Sequence, residues 1–313
     1  MSDHPTPSHH GVREEPTPFP HASNETMRLL LERTSCRAFK DLKIPEDVLQ
    51  LALEAGIHAP TGGNLQPYTI IRIEDEGRRR QLGEMCQQAF IGQAPVLLLF
   101  CIDWHRIERW AALEVAPFTA VNSFRHFWIS IQDTVICAQN ICTAADSLGL
   151  GSVYIGTIME FLEELREMFT LPQGVMPVVL LCLGYPQTHP SRRRKLGVET
   201  VVCRERYRED PDTEVVAAFD RKYPGHRVEV TPERIERIRE VCRLAHGEAY
   251  ADACAKRIEE NGYIRPAQRY FGLHYRADAM TEGNDRFLDL MAAFGFGWFK
   301  PAPSNPIHRA PGR

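Results

Sequence analysis

Apolar and polar positions along the chain fall into two regimes. Short runs with few polar interruptions, Tyr68–Ile73, residues 95–102, residues 150–156 and Val175–Gly184, read as strands. The run 95–102 is apolar enough to be a central strand. Elsewhere the apolar residues recur at intervals of three and four. Phe127, Ile131, Val135, Ala138, Ile141, Ala145 and Leu148 give the clearest helix, stopped by Gly149. Its other faces are also partly apolar, so it is expected in the middle of the fold or at a subunit interface.

Capping patterns place the remaining helices. Ser23-Asn24-Glu25 starts one before Met27, Leu30 and Leu31. Pro45 with Glu46 and Asp47 opens a second, striped by Val48, Leu49, Ala52 and Leu53 and ended by Gly56. A charged helix is expected over 76–90 and a short one over 160–169. Residues 103–126 look irregular; their Trp104, Trp110, Phe118, Phe124 and Arg125 suit either a pocket lining or plain packing. After about 210, Thr231-Pro232-Glu233 begins a helix carrying Ile235, Ile238, Val241 and Leu244 on one face, broken at Gly247. A further helix should follow from 249 to Asn261-Gly262, and a last one over 285–294. The stretch from Phe219 to Phe299 holds 12 of the 28 aromatic residues, too many for a disordered tail. It is expected to be ordered, either packed, capping a pocket with His274, Tyr275 and Arg276, or docking a partner. The proline-rich end from Lys300 is expected to be extended.

Composition changes this picture little. Among 313 residues, 43% are apolar and 25% charged, ordinary for a globular protein. A net charge of −4 gives no reason to expect a nucleic-acid surface, and no apolar run approaches a membrane span. Residues 1–22, with His4, His9, His10 and several prolines, read as a disordered tail without a signal-peptide core. The nine cysteines are scattered with no Cys-x-x-Cys pair, so no metal site is expected and a reducing, cytoplasmic location fits.

Three segments carry candidate chemistry. In Arg33-Thr34-Ser35-Cys36-Arg37, two guanidiniums with hydroxyls between them suit either a phosphate or a solvated helix end. Pro60-Thr61-Gly62-Gly63-Asn64-Leu65-Gln66-Pro67 is either an ordinary Gly-Asn turn or a rigid loop presenting amides to a planar ligand. The run Arg192-Arg193-Arg194-Lys195, just beyond a strand, is an anion site or a solvated basic patch.

Taken together and in order, these pieces resemble the nitroreductase-like FMN flavoproteins over about residues 25–207. The resemblance rests on Arg33-x-Ser35-x-Arg37-x-Phe39, on Asn64-x-Gln66-Pro67-Tyr68, on Gly149-Leu150-Gly151-Ser152 through Gly156, and on the basic run. It implies an α+β fold: a mixed, mainly antiparallel sheet flanked by helices, in a homodimer with shared active sites. The expected division is a tail (1–22), an FMN-binding domain (23–210) and a helical C-terminal extension (211–313), since such proteins usually end soon after the basic run.

The resemblance also implies roles. Arg33, Thr34, Ser35 and Arg37 would hold the FMN phosphate and ribityl region, completed by Arg193 and Lys195. Pro60, Thr61, Gly62, Asn64 and Gln66 would meet the flavin from the partner subunit. Backbone donors at Tyr154, Ile155 and Gly156 would face its N5 edge. The implied activity is ping-pong electron transfer from NADH or NADPH through FMN to a nitroaromatic, quinone or other conjugated small molecule. The ring does the redox chemistry, so no side-chain acid–base pair is required. Two alternatives stay open: an FMN enzyme oxidising or reductively dehalogenating a dedicated metabolite, and a non-catalytic flavin-binding interaction protein.

Overall fold

The computed structural model describes residues 24–188 and 190–300. The expected tail at 1–22 and the extended end beyond Lys300 lie outside the described residues. The described residues form two compact units, one of residues 24–191 with 285–300, the other of Arg192–Asn284.

In the first unit, β1 (Tyr68–Ile73), β2 (Val96–Asp103), β3 (Gly151–Ile155) and β4 (Val175–Gly184) form a sheet in the order β1-β2-β4-β3. Every neighbouring pair is antiparallel. The parallel component expected of a mixed sheet reduces to an isolated bridge between Ser35 and Ser152. β2 reads as an unbroken apolar run because both of its faces are covered. Val96, Leu98 and Phe100 pack with Leu49, Ala52, Cys137 and Ile141 from the helices Glu46–Ile57 and Phe124–Ser147. Leu97, Leu99 and Cys101 face the opposite core, with Leu82, Ile91, Leu162 and Leu165. Met291, Phe294 and Phe296 complete that core from the far end of the chain.

Several local expectations are corrected. Gly56 does not end its helix but lies inside it, where a Cβ would stand 2.6 Å from Ile141 Cδ1, so the absent side chain lets the two helices touch. The charged helix stops at Met85, because Gln87 turns left-handed at φ 53°, and a separate short helix, Ala89–Gln93, follows. Residues 103–126 are not irregular throughout: Trp104–Leu113 is a helix, capped by Asp103, which accepts from Arg106 N at 3.0 Å. The expected helix over 160–169 is Leu162–Met168, entered through a 3-10 turn at Thr157–Phe161. The long helix begins at Phe124, under a Ser123 cap, three residues before the apolar spacing starts.

In the second unit, Pro232–His246 and Glu248–Asn261 pack around Ile238, Ile258 and Ile264. Thr231 caps the first by accepting from Arg234 N at 3.3 Å, and Gly247, at φ 89°, separates the two. The aromatic stretch Tyr270–His274 is a π-helical turn. The helix Asn284–Ala293 then takes the chain back to the first unit, where Phe294 O accepts from Gly174 N at 2.7 Å. The chain after 210 is therefore shared between the two units.

Candidate functional site

Arg33 follows the first helix, Glu25–Glu32, and the segment behind it is pinned on both sides of the sheet edge. Cys36 N donates to Ser152 O at 2.9 Å, Lys40 N to Tyr185 O at 2.8 Å, and Gln187 N to Ala38 O at 2.9 Å. Gly151 makes the approach possible, because a Cβ there would lie 2.7 Å from Cys36 Cβ. Backbone polar groups alternate in direction along a strand. With Ser152 O turned to the free edge of β3, the N–H of Tyr154 is turned to that edge as well. Ile155, which pairs with Leu180, turns its N–H to β4 instead, and Gly156 is exposed at the strand end.

The Arg33 guanidinium is mostly buried. Its Nε lies 3.1 Å from Cys142 Sγ and 3.5 Å from Asp146 Oδ2, and one terminal nitrogen donates to Ser152 Oγ at 3.3 Å. The Cys142 thiol and Ser152 hydroxyl are themselves 3.1 Å apart. Burial pushes the Asp146 carboxyl up to about 6, outweighing the pull of Arg33. The pair is thus asymmetric: burial also works against the guanidinium, yet Cys142 and Asp146 together hold Arg33 more firmly charged than usual. Arg37, two residues beyond Ser35, is exposed and joins no ion pair among the described residues.

The loop before β1 is rigid by construction. Gly63, Asn64 and Gln66 all have positive φ (63°, 57° and 48°). Gly62 N donates to both oxygens of Asp133 at 3.1 Å, fixing the loop to the long helix. Burial raises the Asp133 carboxyl, and the Gly62 N–H partly offsets this. Gln66 spends its NH2 on the elements flanking the loop, on Ile57 O at 3.0 Å and Tyr68 Oη at 3.3 Å, and its own N–H donates to Thr61 Oγ1 at 3.4 Å. Pro60, Gly62 and Asn64 remain exposed.

Both motifs hang on one helix. Asp133 anchors the loop, while Cys142 and Asp146 anchor Arg33 nine and thirteen residues further on, about 14–20 Å at 1.5 Å per residue. Asp133, Cys142 and Asp146 did not figure among the sequence candidates, and Ser152 figured only within its glycine motif, with no role assigned. For Asp133 the signal was an acid on the helix face that carries Thr134, Cys137 and Ile141. Arg193 and Lys195 are exposed members of the second unit. Burial alone would raise the Tyr223 phenol, but a hydrogen bond from Tyr270 and the charges of Lys222 and Arg193 bring it below its usual value.

The donor set suits a phosphorylated flavin. A guanidinium has five N–H donors, and the inward contacts of Arg33 leave some unspent. Arg37 adds an uncommitted cation and Ser35 a hydroxyl, enough to meet a phosphate dianion with charge-assisted bonds.

Comparison with known proteins agrees with the fold and the motifs. A model of the Nitroreductase family matches residues 30–185. The oxygen-insensitive NADPH nitroreductase of Salmonella typhimurium is 32% identical over 196 residues, 62% of this chain and 79% of that protein. The solved NADPH:FMN oxidoreductase from Vibrio harveyi complexed with NAD+ superposes with TM-score 0.58 at 30% identity, over 62% of this chain and 83% of its own. The structure of B. megaterium NfrA2, at 24% identity and TM-score 0.65, covers 88% of this chain and 100% of its own. Residues 1–210 are only two-thirds of the chain, so that likeness of fold runs on past 210. The expectation that the resemblance stops there is corrected.

Proposed function

The chain belongs to the nitroreductase family, and on that premise we propose that it is an FMN-dependent NAD(P)H oxidoreductase, a homodimer with flavin sites shared between protomers. The observation that carries this reading is the segment 33–39 laid against the head of β3, with Arg37 uncommitted and the Arg33 guanidinium braced from behind. Bound FMN would supply the redox chemistry, accepting a hydride from NADH or NADPH and passing electrons to a conjugated acceptor in ping-pong order.

The chain's own residues would do the binding and positioning. Arg33, Thr34, Ser35 and Arg37 would hold the phosphate and ribityl region. Backbone donors at Tyr154 and Gly156 would orient the ring edge, with Ile155 holding the strand to β4. The loop bearing Pro60, Thr61, Gly62 and Asn64 would close the site from the partner protomer, with Gln66 holding the loop's shape rather than touching the ring. Two observations support the shared arrangement. The loop and Arg33 are anchored well apart on one helix, and that helix exposes Trp128, Val135 and Ile136 to solvent in the single chain. The chain contains no described helix long and apolar enough to cross a membrane, and a small-molecule acceptor is proposed.

The reading is tested on purified full-length protein. Flavin absorption bands, FMN rather than FAD by mass spectrometry, and stopped-flow bleaching by NADH or NADPH are expected. A colourless preparation that takes up no FMN overturns it.

A further inference from the structure

We infer that Asp146 is the internal counter-anion of Arg33, and that phosphorylated flavin binds more tightly when this carboxyl is neutral. The inference rests on the reading above of Arg33 as a ligand of the flavin phosphate. It starts from geometry. Asp146 sits one turn along the long helix from Cys142, and Arg33 Nε reaches both. Their side chains are largely buried, 22% exposed for Arg33 and 16% for Asp146. A guanidinium so enclosed needs a counter-charge, and Asp146 supplies it.

The titratable groups facing this pair are few. Cys142 lies on the same helix, Cys36 on the segment after Arg33, and Tyr154 on β3. Cys36 and Tyr154 are held in their neutral forms, both chiefly by burial. The Asp146 carboxyl, pushed up to about 6, changes charge just below neutral pH. A phosphate arriving at Arg33 brings a second anion to a guanidinium that already has one. Like charges around one site push each other's protonation upward. By reciprocity, protonating Asp146 strengthens phosphate binding by the factor with which phosphate raises the carboxyl.

Asp146→Asn isolates this charge, because the amide keeps the size and polarity of the carboxyl beside Arg33 Nε and removes only its ionisation. The phosphate itself titrates near pH 6, so a wild-type pH profile mixes two events, and the ratio between variant and wild type removes the shared one. Riboflavin, which lacks the phosphate, is the control.

The experiment measures dissociation constants of FMN and riboflavin by fluorescence quenching, from pH 5 to 8, on full-length chain freed of flavin. D146N is expected to bind FMN about fivefold to tenfold more tightly than wild type at pH 8, a gap that closes by pH 5. Riboflavin affinity stays level, and Asp146→Glu behaves as wild type. Equal or weaker FMN binding by D146N at pH 8, or a ratio constant with pH, overturns the inference. Arg33→Ala separates the two layers: if it leaves FMN affinity unchanged, the phosphate role of Arg33 fails first. If D146N does not fold, wild-type calorimetry at pH 7.5 in two buffers decides. Fractional proton uptake with FMN and none with riboflavin is expected, and no uptake with FMN overturns the inference.

Discussion

The backbone N–H of Gly62 donates to both carboxylate oxygens of Asp133, across 71 residues of chain. One buried acid thus sets the position of the whole Gly-Gly-Asn loop. Asp133→Ala should cost about 1.5–3 kcal/mol, the range for a hydrogen bond to a charged group. It should also weaken FMN binding several-fold through the loosened loop. Asp133→Asn keeps one acceptor and should fall between. Thermal melts and flavin titration read both effects; a stability loss with flavin affinity untouched would detach the loop from the cofactor.

Gly56 and Ile141 make a second such pair. Placing a methyl group 2.6 Å from Ile141 Cδ1 overpacks the junction of the two helices, and Gly56→Ala should destabilise by about 1–3 kcal/mol. Ile141→Val should relieve part of that loss in the double variant, whereas alone it costs about 1 kcal/mol. Strict additivity in the denaturation cycle would mean the helices do not meet there.

The Asp146 carboxyl titrates near 6 in the fold against an ordinary value of 3.8. An acid whose pKa is raised by folding contributes most below its unfolded value and loses that contribution as pH rises through the folded one. Wild-type stability relative to D146N should therefore decline between about pH 4 and pH 6 and then level off. The shift corresponds to on the order of 2–3 kcal/mol. Urea midpoints of the two proteins at pH 4.5 and 7.5 test this, and parallel midpoints would contradict it.

Arg37 is exposed and joins no ion pair among the described residues, so removing it should spare the fold. Arg37→Ala should weaken FMN binding by about tenfold or more with a melting temperature close to wild type in the flavin-free state. Unchanged FMN affinity in the variant would remove the phosphate assignment of Arg37.

Trp128 stands 54% exposed on the long helix, with Val135 and Ile136 on nearby turns. Trp128→Glu should split the proposed dimer, because a charge buried at the centre of an apolar contact goes unpaired. Sedimentation should then report a monomer with reduced flavin content. An intact dimer would place the interface elsewhere.

Much of this was legible in the sequence. β1 and β4 coincide with their apolar runs, and along β4 no polar side chain blurs the ends. Thr231, Asn24 and Gly262 announced helix ends through local chemistry. What escaped depended on distant partners. Gly56 reads as a stop signal until Ile141 is known to lie against it. Gln87 carries no local sign of its left-handed turn. Asp133 and Asp146 look like polar interruptions in a helix until Gly62 and Arg33 arrive from elsewhere in the chain. The aromatic end after Phe294 gives no hint that it belongs with β2.

That last assignment bears on how the protein is made. Phe294 and Phe296 are fully enclosed in the same core as Leu97 and Leu99, whose partners were synthesised some two hundred residues earlier. On the ribosome, the core that carries the Arg33 segment stays open until nearly the whole polypeptide has emerged. Nonsense or frameshift lesions anywhere before residue 296 would then yield aggregates rather than a smaller working reductase, and the Arg192–Asn284 region could be exchanged only as an internal cassette with both of its ends rejoined.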